Sequence, residues 1–88
     1  MDYEAMSYIM ASKPRFRILT ELRKGNKFPS ELSKLIEIPI SHVSATLREL
    51  QDKGFVECLT PGRRKKKFFK IKEKGEQILD DINKETRK

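Results

Sequence analysis

The chain has 88 residues, 38% of them charged, with a net charge of +7, and its length predicts a single domain over residues 1–88 with a small core. One cysteine excludes a disulfide framework, and one cysteine with one histidine leaves too few ligands for a structural zinc, so we expect neither a metal nor a cofactor. No apolar run reaches bilayer length and residues 1–13 do not resemble a signal peptide, so we expect a cytoplasmic protein without membrane contact.

Three helices are predicted in the first half of the chain. The first is an N-terminal helix over residues 1–12. The second begins at Lys13, directly before a proline that suits a helix start, and ends at Gly25. The third begins at Pro29, and Pro39 interrupts it because the residue before a proline is displaced from the α region. The apolar residues of the second and third helices recur at helical spacing, which predicts that both helices pack on the core.

A fourth helix is predicted from Ser41 to Lys53, and its two faces differ. Val43, Leu47 and Leu50 are spaced i, i+4, i+7, which predicts that they face inward. The opposite face is small and polar, so it could approach the base edges of DNA closely, and an ordinary solvent-facing surface is an equally good interpretation. The candidate base-reading residues on this face are Ser41, Ser44, Ala45 and Arg48.

A β-hairpin with a basic tip is predicted next. Residues 63–72 hold seven bases and no acid, and apolar residues flank the basic tip on both sides. Such a concentration of positive charge favours phosphate binding over a solvated, disordered charge run. In the second strand we expect Phe69 to face the core with Ile71, which leaves Phe68 to cover the hairpin or to stack on a base. The candidate phosphate-contacting residues are Ser30, His42, Arg63, Arg64, Lys65, Lys66 and Lys67.

The last predicted element is a C-terminal helix over residues 73–88. This helix and the N-terminal helix each carry an apolar stripe larger than a small core requires. We therefore expect a homodimer in which the two helices pair with their copies, although both could instead pack on their own domain. The expected interface residues are Tyr3, Met6, Ile9, Met10, Ile78 and Ile82.

His42 and Cys58 each allow a second interpretation. Histidine titrates near neutrality, so a pH switch is the alternative to a phosphate contact, but no second titrating group is clustered with His42. Cys58 lies in the first strand of the hairpin, where a small apolar filler is the simplest interpretation and a redox switch is the alternative.

The run from Leu32 to Leu50 and on to Val56 resembles the helix-turn-helix of MarR-like and ArsR-like regulators. Further matches extend the resemblance to residues 11–79 and are similar to small archaeal winged-helix regulators of that superfamily. The resemblance implies an α+β winged helix-turn-helix, with the fourth helix in the major groove of DNA and the hairpin, or wing, on the backbone or minor groove. The matching positions within the run are Leu32, Val43, Ser44, Leu47, Leu50, Gly54 and Val56.

The chain departs from the family pattern at several places. Glu37 stands where the family often has glycine, so we expect a strained turn, and Pro39 and Lys72 replace residues that commonly cap a helix. Ala45 stands where a long basic or polar residue is common, so one base contact is missing or is replaced by contact with a thymine methyl group. Metal sensing, known among ArsR-like proteins, would need more ligands than one histidine and one cysteine.

These observations predict a sequence-specific regulator that binds double-stranded DNA as a homodimer and represses by promoter occlusion, without an evident small-molecule effector. An enzyme is not expected, because the sequence lacks a catalytic constellation of acid, base and nucleophile and a Gly-rich phosphate loop. Two alternatives stay open: a winged-helix module that binds proteins, and an architectural protein that binds DNA with little sequence preference.

Overall fold

The computed structural model describes residues 1–62 and 66–86. It has the predicted α+β architecture, in which four helices precede an antiparallel hairpin and a last helix follows it. The two terminal helices, predicted over residues 1–12 and 73–88, are shorter within the described residues. The elements in chain order are α1 (Tyr3–Met10), α2 (Lys13–Lys24), α3 (Pro29–Ile36), α4 (Ile40–Asp52), β1 (Val56–Cys58), β2 (Phe69–Ile71) and α5 (Glu73–Thr86).

Side chains at the helix starts explain where the first three helices begin. The carboxylate of Asp2 accepts a hydrogen bond from the backbone N–H of Ala5 at 3.0 Å, and this satisfies a donor that α1 leaves free. Ser12 caps α2 in the same way. At the start of α3 the side chain lies within the helix and the donor precedes it: the carboxylate of Glu31 accepts from the backbone N–H of Phe28 at 2.9 Å. The three helix starts are thus specified locally by the sequence.

The hairpin is short but is paired on both sides at its second strand. β1 and β2 are antiparallel, with Val56 opposite Ile71 and Cys58 opposite Phe69. On the other side, Phe69 exchanges backbone hydrogen bonds with Lys27 at 3.0 and 3.1 Å. β2 is therefore tied to the segment between α2 and α3, next to the start of the helix-turn-helix.

One apolar core joins all five helices to the hairpin. The inward residues of α4, Val43, Leu47 and Leu50, are completely buried, and Phe69 is buried as predicted. Both terminal helices contribute to the same cluster, since α1 packs on α2 and α5. In the described part of the chain, no helix has both the length and the apolar composition needed to cross a membrane.

The burial of the terminal helices corrects the expectation for four of the six residues assigned to a dimer interface. These four side chains are at most 8% exposed, because they fill the chain's own core and cannot also form its outer surface. Tyr3 and Met10 remain exposed on α1 at 62% and 52%. The four buried residues are Met6, Ile9, Ile78 and Ile82.

Candidate nucleic-acid interface

The outer face of α4 carries the four candidate base-reading residues. All four side chains are exposed, and they make no hydrogen bond with other described residues. Thr46, on the buried side of α4, is only 3% exposed, and its hydroxyl donates to the backbone carbonyl of His42 at 2.9 Å. The helix therefore presents a polar surface whose donors and acceptors remain available to a ligand. The four residues are Ser41, Ser44, Ala45 and Arg48.

Arg15, in α2, joins the C-terminal part of α4 to α1 and α2. Its guanidinium donates to the carbonyl of Tyr8 at 2.9 Å, lies 3.9 Å from the centroid of the Tyr8 ring, and pairs with Glu49 at 3.5 Å. The contacts of Arg15 with Tyr8 are partly shielded from water, whereas Glu49 is half exposed. Arg15 thereby joins α4 to α1 and α2 through Glu49, and the four candidate base-reading side chains stay exposed.

The turn between α3 and α4 has the unusual backbone expected from its sequence. Glu37 adopts a left-handed conformation with φ 57° and ψ 48°, which is unfavourable for a residue with a Cβ. Pro39 is the N-cap of α4, and no described side chain caps that helix start. Arg17 compensates in part, since its guanidinium donates to the carbonyls of Leu35 and Ile36 at the end of α3.

The base of the wing is fixed by side-chain contacts. The hydroxyl oxygen of Thr60 accepts from the backbone N–H of Phe68 at 3.0 Å, and the N–H of Leu59 donates to the carbonyl of Phe68 at 2.7 Å. The centroid of the Phe68 ring lies 4.7 Å from the centroid of the Phe28 ring, and Phe28 directly precedes α3. Phe68 therefore covers the hairpin base, which is one of the two alternatives that the sequence allowed. Cys58 is half-buried against the core, with its sulfur 3.8 Å from the Thr60 hydroxyl.

The candidate phosphate-contacting residues lie partly within the described chain. Ser30 is exposed in the first turn of α3, His42 is exposed near the start of α4, and Lys66 and Lys67 are exposed in the wing. Lys66 has a left-handed backbone with φ 55°. The predictions for Arg63, Arg64 and Lys65 lie outside the described residues.

A groove of 260 Å³ separates the outer face of α4 from the base of the wing. It brings together two residues predicted separately, Arg48 from the helix and Lys67 from the wing. Gln51 also lines it, and sequence reasoning missed this residue because a single glutamine near a helix end carries no distinctive pattern. The lining residues are Pro29, Ser44, Arg48, Gln51, Lys67 and Phe69.

Histidine and cysteine, the usual ligands of a metal sensor, are scarce in this chain. The sequence has one histidine and one cysteine, and the described residues contain no group of three His, Cys, Asp or Glu side chains that could hold a metal ion. His42 lies near the start of α4 and Cys58 lies in β1, so the histidine and the cysteine belong to different elements.

We compared the chain with known protein families and solved structures. The pattern of bacterial regulatory proteins of the arsR family matches residues 12–57, which run from the cap of α2 into β1. A mutant MarR from E. coli complexed with operator DNA has a TM-score of 0.76 at 24% identity, covering 92% of this chain and 59% of that one. Reduced HlyU from Vibrio cholerae has a TM-score of 0.72 at 20% identity, covering 98% and 94%.

A transcriptional regulator from Thermotoga maritima has a TM-score of 0.75 at 23% identity, with 92% of this chain and 58% of that chain covered. The chain thus spans less than two thirds of the length of the MarR and Thermotoga proteins, and about half of MarR in its oxidised form. No curated protein sequence matches the chain. The structural matches confirm the winged helix-turn-helix fold that the sequence predicts.

Proposed function

The chain belongs to the arsR family of bacterial regulatory proteins, and from that membership we propose that it regulates transcription by sequence-specific binding to double-stranded DNA. This is a family of regulators rather than of enzymes. The proposal is supported by a protein of the same fold, the mutant MarR complexed with operator DNA. The finer assignments below concern which residues bind DNA and how binding regulates.

One observation carries the proposal: the polar face of α4 and the base of the basic wing border the same groove. A major groove about 12 Å wide admits one α-helix, and the small side chains of Ser41, Ser44 and Ala45 allow α4 to approach base edges closely. Lys66 and Lys67 then lie on the wing side, where they meet phosphates. We assign Ser30 and His42 to the backbone as well, because both are exposed near helix starts.

Binding selection tests sequence specificity without knowledge of the operator. The protein selects duplexes from a random-sequence pool, and its affinity for a selected duplex is compared with that for a scrambled duplex of equal length. We expect a ratio of at least about 10³ at physiological salt. Equal affinity for both duplexes would support the architectural alternative, and no binding to either would support the protein-binding module.

A double substitution tests the base-reading face. Replacing Ser41 and Ser44 by alanine should reduce affinity for the selected duplex by about 10-fold or more and leave the scrambled duplex unaffected, because base contacts carry the discrimination. Ser7→Ala, at an exposed position on α1, is the matched control and should change neither affinity. Equal losses on both duplexes from the double variant would contradict base reading.

We further propose that the protein acts as a homodimer that represses by occluding promoters. Tyr3 and Met10 support this, because they are seven residues apart on one side of α1 and expose apolar surface outside the core. In a two-fold dimer, the two copies of α4 address half-sites about 34 Å apart, one turn of DNA. Sedimentation at tens of micromolar should give a dimer, and replacing both residues by serine should give a folded monomer. A monomeric wild-type protein would contradict the two-half-site arrangement.

A further inference from the structure

We propose that the groove between α4 and the wing binds a backbone phosphate of DNA, held by Arg48, Gln51 and Lys67. This inference rests on the proposed DNA-binding function and goes beyond it in two respects. It adds Gln51 as a contact residue, and it assigns Arg48 to the backbone although its place on the outer face of α4 suggests base reading.

The polar side chains that line the groove have a regular origin. Ser44, Arg48 and Gln51 are spaced i, i+4, i+7, so they form one stripe along α4 on the side that faces the wing. Lys67 approaches from the opposite wall. Pro29 and Phe69 supply the apolar part of the lining, and Phe69 is 6% exposed and fixed by its backbone bonds to Lys27. The groove therefore has an apolar part fixed by backbone hydrogen bonds and polar side chains from two elements.

The charge of the groove favours an anion. Its lining includes two cations and no carboxylate, and neither Arg48 nor Lys67 pairs with another described residue. A cleft of 520 Å³ beside α1 differs because Asp2 and Glu4 line it together with Lys53 and Lys74. In contrast to that cleft, the α4–wing groove offers positive charge that no acid in its lining offsets.

The donors of the groove suit a phosphate. A guanidinium presents two parallel N–H groups that match two phosphate oxygens, an ammonium adds a point charge, and a glutamine amide contributes two neutral donors. A guanidinium also fits the N7 and O6 acceptors of a guanine edge, so the position of the groove, rather than the type of donor, separates the two ligands. Phosphate backbones border the major groove, so the flank of a helix that lies in it faces phosphates, and this groove lies along the flank of α4 that is next to the wing.

Salt titration of DNA binding separates a phosphate contact from a base contact. Arg48→Ala should weaken binding to the selected and the scrambled duplex by the same factor and reduce the slope of log affinity against log salt by about 0.9. Gln51→Ala should weaken both about 3- to 10-fold without a change in slope, since it removes neutral donors only. Gln51→Glu should weaken both more than Gln51→Ala, because it places a carboxylate against the phosphate.

Lys84→Ala is the charge-matched control, because Lys84 is exposed on α5 away from the groove; its affinity and slope should stay near those of the wild type. Circular dichroism and thermal unfolding verify that each variant folds. A loss confined to the selected duplex, with an unchanged slope for Arg48→Ala, would overturn the phosphate assignment and restore base reading. Wild-type affinity in all Arg48 and Gln51 variants would overturn the groove as a site.

Neutral methylphosphonates, introduced one at a time along the selected duplex, locate the contact. The proposal expects one position at which the substitution weakens the wild type but adds little to the loss already present in Arg48→Ala. Fully additive losses at every position would overturn it. If the wild-type protein binds no duplex at all, the proposed DNA-binding function fails, and that result is distinguishable from a failure of the groove alone.

Discussion

Two segments border the proposed DNA face, the base of the wing and the turn before α4, and they are held in place in different ways. At the wing base, strand pairing, a threonine side chain and two aromatic rings fix the chain. At the turn, Glu37 has an unfavourable backbone conformation and a proline begins α4 without a side-chain cap from the described residues. The first segment depends on packing and the second on backbone geometry, so substitutions should affect them in opposite directions.

The packed segment extends from the wing to the last helix. The backbone carbonyl of Phe55 accepts from the N–H of Lys72 at 2.9 Å, which joins the start of the hairpin to the start of α5. Gly75, in the first turn of α5, lies directly against this junction and is buried. The hairpin and α5 are therefore in close contact at Gly75.

The largest expected effect is that of Gly75→Ala. The added Cβ would lie 2.5 Å from the Phe55 carbonyl oxygen and 2.7 Å from Cγ1 of Ile71, so the hairpin and α5 must separate. We expect a loss of about 1–3 kcal/mol in the free energy of unfolding, despite the better helix propensity of alanine. Thermal unfolding should shift down by roughly 5 to 20 °C.

Gly62→Ala is the control for this prediction. Gly62 also lies in the hairpin, and no described atom comes within 4 Å of the position that its Cβ would take. Its unfolding free energy should stay within about 0.5 kcal/mol of the wild type. Equal stability of both alanine variants would show that α5 and the hairpin are not closely packed at Gly75.

Phe68→Ala should have a smaller effect on stability and a second effect on DNA. It removes the ring contact with Phe28, and we expect a loss of about 1–2 kcal/mol in the free energy of unfolding. Because the ring positions the wing, DNA affinity should fall on selected and scrambled duplexes alike. Urea unfolding and DNA titration measure the two effects.

Leu59→Ala is the matched control, since Leu59 is 41% exposed at the wing base, directly after β1. It should change stability by less than about 0.5 kcal/mol. If Phe68→Ala keeps full stability but loses affinity only for the selected duplex, Phe68 contacts a base and does not merely support the wing.

The sequence predicts the buried face of α4 but leaves other features undetermined. Val43, Leu47 and Leu50 recur at helical spacing, and all three are buried. Thr46 is equally buried, yet a threonine gives no apolar signal, and its burial is possible because its hydroxyl bonds to the preceding turn. Periodicity therefore identifies the core face of a helix and misses a polar residue satisfied within it.

The terminal helices show a second limit. The stripe that includes Met6 and Ile9 is apolar whether it covers the chain's own core or a second copy, so the pattern alone cannot distinguish the two. Gln51 shows a third, since its role depends on the position of the wing, which comes from residues more than a dozen positions away. Tertiary packing decides both.

The smallest expected effect, and the only gain, is that of Glu37→Gly at the turn. A left-handed backbone costs a residue with a Cβ roughly 1–2 kcal/mol, and glycine removes that cost but loses more entropy on folding. We expect a net gain of about 0.5 kcal/mol, or roughly 3 °C in thermal unfolding. Glu37→Ala keeps the strained Cβ and should show no gain, which separates backbone strain from the loss of the carboxylate. If alanine stabilises as much as glycine, charge rather than backbone geometry limits the turn, and the contrast with the packed wing base fails.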